Sequence, residues 1–135
     1  MEIAVDTNVL VSGLLKPSGM PGSVVDLISS SRVSLVFDDR VMDEYERVLR
    51  RTEFPLAQSA VDDLLEDIEI TGRFVVPRLW RVHLPDEKDR CFYECALEAE
   101  SRILVSGNTR HFPRAACAGV TVLPPAEFVA KLTSD

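Results

Sequence analysis

Four oxygen-bearing side chains, Asp6, Glu44, Asp89 and Asn108, stand where their types and surroundings could support chemistry. Asp6 follows the apolar run Ile3, Ala4, Val5, and the chain turns apolar again at once in "VDTNVLVSGLL". A carboxylate so placed either caps a helix starting near Asn8 or faces a ligand beyond the end of a strand. Glu44 lies in "MDEYERVLRR" between Asp43 and Glu46. At about 100° per residue, Asp43 points away from the apolar stripe of Val41, Met42, Tyr45, Val48 and Leu49. Glu44 and Glu46 lie on the two borders of that stripe, and periodicity does not choose between them. In "PDEKDRCFYECA", Asp86 has the place of a helix cap, whereas Asp89 shares a face with Phe92, Tyr93 and Ala96, which turns its carboxylate toward the packed side. Asn108 closes "ILVSGN", where Gly-Asn is by itself only a turn signal. Carboxylates brought close together repel one another unless a cation sits among them, and an oxygen-only set suits a hard divalent ion, Mg2+ or Mn2+.

Other chemistries fit less well. The two histidines, His83 and His111, match no zinc spacing, and the three cysteines, Cys91, Cys95 and Cys117, contain no CxxC pair, so they read as reduced packing thiols. Phosphatases of the haloacid dehalogenase type also begin with a strand and an aspartate, but they need a second aspartate two positions on, where this chain has Asn8. A net charge of −7 speaks against a domain that coats nucleic acid through a general basic surface. It leaves room for an enzyme that acts on nucleic acid, because bound cations neutralise an acidic site. Twelve of the fifteen basic residues are arginine, whose planar fork fits phosphate.

The elements that must position these residues alternate between strand-like and helix-like periods. "EIAV" and "VSLVF" are strands, "SVVDLISSS" and "DDRVMDEYERVLRR" helices. Pro55 is expected to open a further helix, with Leu56, Ala60, Val61, Leu64, Leu65 and Ile68 at helical spacing until Gly72. "RFVV" is a third strand, "PDEKDRCFYECALEAE" a helix entered through Asp86, "RILVSGN" and "VTVL" strands, and "AEFVAKL" a terminal helix. Strands separated by helices imply a parallel sheet covered on both faces, whose ligand sites lie beyond the carboxyl ends of its strands. A chain of 135 residues with 46% hydrophobic content is the size of one compact domain, here 1–135. Glu2 and Asp6 stand where a secretory leader would be basic, and no apolar run approaches the roughly 18 residues of a membrane span. A soluble, cytoplasmic protein is expected, with no membrane partner.

In the order and spacing of "VDTNVLVSGLL", "MDEYERVLRR" and "PDEKDRCFYECALEAESRILVSGNTRHF", the chain resembles the PIN domain family, close to the VapC-like toxin ribonucleases and related single-domain proteins. The resemblance implies a three-layer α/β/α, Rossmann-like domain with a central five-stranded parallel sheet. It also implies a metal-dependent endoribonuclease using Mg2+ or Mn2+, in which the cation activates water and polarises the scissile phosphate. The family's first acid matches Asp6, its second Glu44 and not Glu46, and its third Asp89. Asp6 and Asp89 would then be direct ligands, and Glu44 a ligand or an orienter of water. The fourth position, usually aspartate, is Asn108, which keeps a carbonyl but removes a charge and puts a second metal in doubt. Thr7, Asn8 and Ser12 are candidates to hydrogen-bond the acids or the phosphate, and Arg110 to contact phosphate. The implied partners are an RNA substrate, an antitoxin protein and a second copy of the chain in a homodimer. The alternative is a catalytically weak PIN-fold module that binds nucleic acid or protein without turnover.

Overall fold

The computed structural model describes residues 1–78 and 83–134. Five strands, β1 (Glu2–Val5), β2 (Ser34–Phe37), β3 (Arg73–Phe74), β4 (Ile103–Val105) and β5 (Thr121–Leu123), form one sheet in the order β3-β2-β1-β4-β5. All four pairings are parallel. The inner strands are continuous apolar runs because both faces of the sheet are covered: Ile3, Ala4 and Val5, Leu35 and Val36, and Leu104 and Val105 are all buried. The covering helices are α1 (Thr7–Leu15), α2 (Met20–Ser29), α3 (Asp39–Leu49), α4 (Gln58–Thr71), α5 (Arg90–Glu98) and α6 (Pro125–Ser134). The architecture is the expected three-layer α/β/α sandwich. Helix α5 lies against β1, β2 and β4, while α2 packs with α1, α4 and α6. No helix among the described residues is long and apolar enough to cross a membrane.

Three local expectations are corrected. The helix expected from Pro55 begins at Gln58. The Phe54 amide bonds back to the Arg51 carbonyl and the Leu56 amide to the Phe54 carbonyl, so residues 51–56 turn tightly; a residue before proline is also disfavoured in helical geometry. Leu56 still packs on the core, but from the turn. The "RFVV" strand is reduced to Arg73–Phe74. After one more ladder bond, from the Val75 amide to the Phe37 carbonyl, Val76 lies exposed and Pro77 offers no donor. The helix entered through Asp86 starts as a 3-10 turn, Glu87–Asp89, which the Asp86 carboxylate caps at the Lys88 amide (3.0 Å), and only from Arg90 is it α-helical. The three cysteines are buried and unpaired, as expected of packing thiols.

The chain runs from β1 to β2 and β3 on one side of the sheet, then returns to β4 and β5 on the other. Connections therefore leave the carboxyl ends of β1 and β4 in opposite directions and open a crevice there. Val5 and Val105, the last residues of those strands, pair in register, so Asp6 and Ser106 emerge side by side. Tyr45 ties α3 to the same point: fully buried, its hydroxyl donates to the Val5 carbonyl, one residue before Asp6. Removing that hydroxyl leaves a buried carbonyl short of a partner. Tyr45→Phe is expected to lower unfolding free energy by about 1–2 kcal/mol, read as a lower urea midpoint at unchanged slope.

Candidate active site

Asp6 occupies the N-cap position of α1, yet its side chain makes no capping bond. It turns instead into the crevice, 5% exposed, where its Oδ2 accepts from the Ser106 hydroxyl (2.7 Å) and the Asn8 side-chain amide (3.3 Å). Two donors on one oxygen fix the rotation of the carboxylate. Asn8 is fixed in turn, its Oδ1 accepting from the Gly107 amide at 3.0 Å. Ser106 also accepts from the Asn108 amide at 3.0 Å, which joins the ends of β1 and β4 through side chains beyond the last ladder bond.

Helix α3 brings Glu44 to the same edge. Asp38 caps that helix by accepting from the Val41 amide (3.0 Å), and the amphipathic stripe then buries Val41, Tyr45 and Leu49. Glu44 Oε2 accepts from the Thr7 hydroxyl at 2.9 Å and Oε1 lies 3.5 Å from Arg47, whereas Glu46 is exposed. Of the two border residues, Glu44 is the one in contact with the residue following Asp6.

Asp89 closes the 3-10 turn before α5 and is 8% exposed. His111 Nδ1 stands 2.9 Å from its Oδ2, an ion pair when the imidazole is protonated. His111 Nε2 meets the Asn108 side-chain nitrogen at 2.9 Å. The Asn108 amide therefore points to the histidine, and a short 3-10 turn, Thr109–His111, carries both residues. Arg110 on that turn is exposed, and Ser12 is exposed on α1 with no side-chain hydrogen bond among the described residues.

Burial pushes the Asp6 carboxyl up from its ordinary range, the Ser106 hydrogen bond opposes the rise, and the Glu44 charge adds to it. Burial likewise raises Asp89, to about 6, with the Asp6 charge as the next cause and His111 pulling against both. Among the described residues, no three Asp, Glu, His or Cys side chains already stand as a closed cation-holding group. Glu44 is held on Thr7 and Asp89 faces His111. The donor set nevertheless fits a hard cation, being all oxygen and mutually repelling.

Ser106, His111 and Glu94 escaped the sequence reading. Glu94 is 0% exposed on α5 and accepts from Arg40 (2.8 Å), which also binds Asp38 (2.7 Å), so three charged groups tie α3 to the helix that follows Asp89. The signal was present in "CFYECA": Cys91 to Ala96 are all buried, and a glutamate in such a run needs a cation.

Fold and crevice define an α/β domain with carboxylates gathered at the carboxyl edge of a parallel sheet. The family model described as PIN domain matches residues 2–110, and the chain belongs to the PIN domain family. PIN domains are generally nucleases that use Mg2+ or Mn2+. Neither the curated proteins nor the solved structures yielded a match.

Because the folded protein holds the Asp89 proton more tightly than the unfolded chain, charged Asp89 destabilises the metal-free fold above about pH 6, and the penalty fades as pH falls toward 3.8. Asp89→Asn should therefore preserve or raise the melting temperature in EDTA at pH 8, with the gain shrinking below pH 6, while it lowers Mn2+ binding. A large loss of melting temperature at pH 8 would mark Asp89 as chiefly a helix-start residue.

Proposed function

We propose that this protein is a divalent-metal-dependent endoribonuclease, with residues 1–135 forming one PIN-like unit. The observation that carries the reading is a pair of buried, mutually repelling carboxylates, Asp6 and Asp89, at the carboxyl edge of the sheet. Asp6 and Asp89 would hold Mg2+ or Mn2+ directly, with Glu44 as a third ligand or as the group that orients the attacking water. The cation, when bound, supplies Lewis acidity and offsets charge at the scissile phosphate. The chain's own residues do the rest. Ser106 and Asn8 fix the Asp6 carboxylate, and Thr7 holds Glu44 at hydrogen-bond distance. Asn108, engaged by His111, would act through water. Ser12, exposed on α1, and Arg110, exposed on the turn after Asn108, would contact RNA phosphates.

The resemblance of the motifs to VapC-like proteins supports the further reading of a cytoplasmic toxin, paired with an antitoxin and acting as a homodimer. Co-expression with the product of the adjacent gene, followed by relief of growth arrest, checks it. Growth unaffected by this chain alone would remove the toxin role and leave the nuclease.

One cation bound weakly, with Mn2+ preferred over Mg2+, is expected by titration calorimetry of the free protein, because Asn108 contributes no charge. Two tight sites, or a requirement for zinc, would contradict the assignment. Asp6→Asn should keep the fold, since asparagine is of the same size, keeps a carbonyl oxygen to accept from Ser106 and removes a buried charge, yet abolish Mn2+-dependent cleavage of single-stranded RNA. Glu44→Gln should fall with it, and Glu46→Gln, exposed on the other border of α3, should stay within a few fold of the parent. Circular dichroism confirms folding of each variant. If all three cleave like the parent, the enzyme gives way to a binding module of the same fold.

A further inference from the structure

A run of close polar contacts joins the two buried aspartates. Ser106 Oγ donates to Asp6 Oδ2 (2.7 Å) and accepts from the Asn108 backbone amide (3.0 Å). The Asn108 side-chain nitrogen meets His111 Nε2 at 2.9 Å, and His111 Nδ1 stands 2.9 Å from Asp89 Oδ2. That oxygen is buried, and among the described residues no other donor reaches it. The His111 backbone amide also donates to the Asn108 carbonyl (3.1 Å), so the short turn Thr109–His111 holds the two partners at a fixed spacing.

The direction of the run follows from donor and acceptor types. An amide nitrogen only donates, so His111 Nε2 must accept and carries no proton. The ring is then neutral with its single proton on Nδ1, because the bond made by one ring nitrogen sets the state of the other. That proton faces Asp89. A donor on a carboxylate oxygen favours the ionised form, whereas burial and the Asp6 charge press the other way. Aspartate in place of Asn108 would act in the opposite sense, since an ionised carboxylate only accepts and would draw a proton onto Nε2. A neutral ring would then turn a bare Nδ1 lone pair against Asp89 Oδ2.

We propose that His111 is a positioning residue for Asp89, and that Asn108 keeps its ring in the Nδ1–H form, so that the imidazole engages Oδ2 and the other carboxylate oxygen is left for the cation. The inference rests on the metal-dependent reading, and it gives Asn108 a task besides any contact its carbonyl makes through water. Asp6 is treated in the same way, its Oδ2 taking the Ser106 and Asn8 side chains. Partners that hold a ligating side chain from behind change metal affinity by about 10–100-fold when removed.

Ring-nitrogen NMR of the 15N-labelled, metal-free full chain at pH 8 reads the tautomer. His83→Gln leaves His111 as the one imidazole in the sequence and so assigns its signals. The parent should show a proton on Nδ1 and none on Nε2, and Asn108→Asp should place a proton on Nε2. A proton on Nε2 in the parent, or none on Nε2 in Asn108→Asp, overturns the proposal. Titration calorimetry with Mn2+ and with Mg2+ reads the consequence for the site. His111→Leu should weaken both cations by the same factor, about 10-fold. His111→Asn, whose side-chain nitrogen falls near the place of Nδ1, should recover most of that loss, with circular dichroism confirming the fold of each variant. If His111→Leu loses Mn2+ much more than Mg2+, His111 is a nitrogen ligand and not a positioning residue. If it binds both cations as the parent does, the positioning role is overturned and the metal reading stands. If the parent binds neither cation, both fall.

Discussion

Two carboxylates whose charged form burial disfavours, Asp6 and Asp89, are held at the mouth of one crevice, and most of the local structure serves to hold them there. Burial, with the Asp6 charge added, raises the Asp89 carboxyl to about 6, so holding it charged costs the fold. The backbone alone does not fix such groups, because each sits one step beyond regular structure. The fixing comes from side chains that reach across elements: Ser106 and Asn8 onto Asp6, Tyr45 onto the carbonyl before it, Thr7 onto Glu44. These neutral donors support the acids without neutralising them, which leaves the charge available for a cation.

The Asp38–Arg40–Glu94 group plays a different part. It joins the first turn of α3 to the middle of α5, the two helices that bring Glu44 and Asp89 to the crevice. A buried ion group of this kind is weak as a source of net stability, since desolvation offsets most of the attraction, but breaking it by removing one partner is costly. Its geometric effect is to keep α3 and α5 in one relation to each other. The same contacts that fix the helices also fix Arg40 at the surface, so the spacing of the acids and the placing of a cation beside them share one set of bonds.

The sheet and its helices were legible because their signals are periodic and long. Ile3 to Val5 and Val33 to Phe37 read as buried strands from continuous apolar sequence, and Val41, Tyr45 and Leu49 marked the inner face of α3 without help from any other element. What periodicity misplaced was short. The strand after Gly72 is two residues, and the turn holding Pro55 looks helical only because Leu56 happens to fall in phase with Ala60. Asp6 was recognisable as unusual, but the same sequence serves a helix cap, and only the absence of a capping bond separates the two uses. Glu44 and Glu46 border one stripe symmetrically. Thr7, which is distant in sequence and adjacent in space, breaks that symmetry.

Ser106 and His111 could not be read from periodicity, for the same reason that periodicity alone did not choose Glu44. Serine before a Gly-Asn turn and histidine before a phenylalanine carry no periodic signal, and both matter only through partners about a hundred or about twenty residues away. Together they alter what Asn108 can be. With its side-chain nitrogen on His111 Nε2 and its backbone amide on Ser106, Asn108 is anchored at both ends to residues that face the two buried aspartates. An aspartate there would add a further negative charge to a crevice where repulsion already raises Asp89. Asparagine keeps the hydrogen-bonded frame and spares that charge, at the expense of attraction for a cation. If the site takes the proposed cation, it would be easier to fold empty and would hold that ion less firmly than with aspartate at this position.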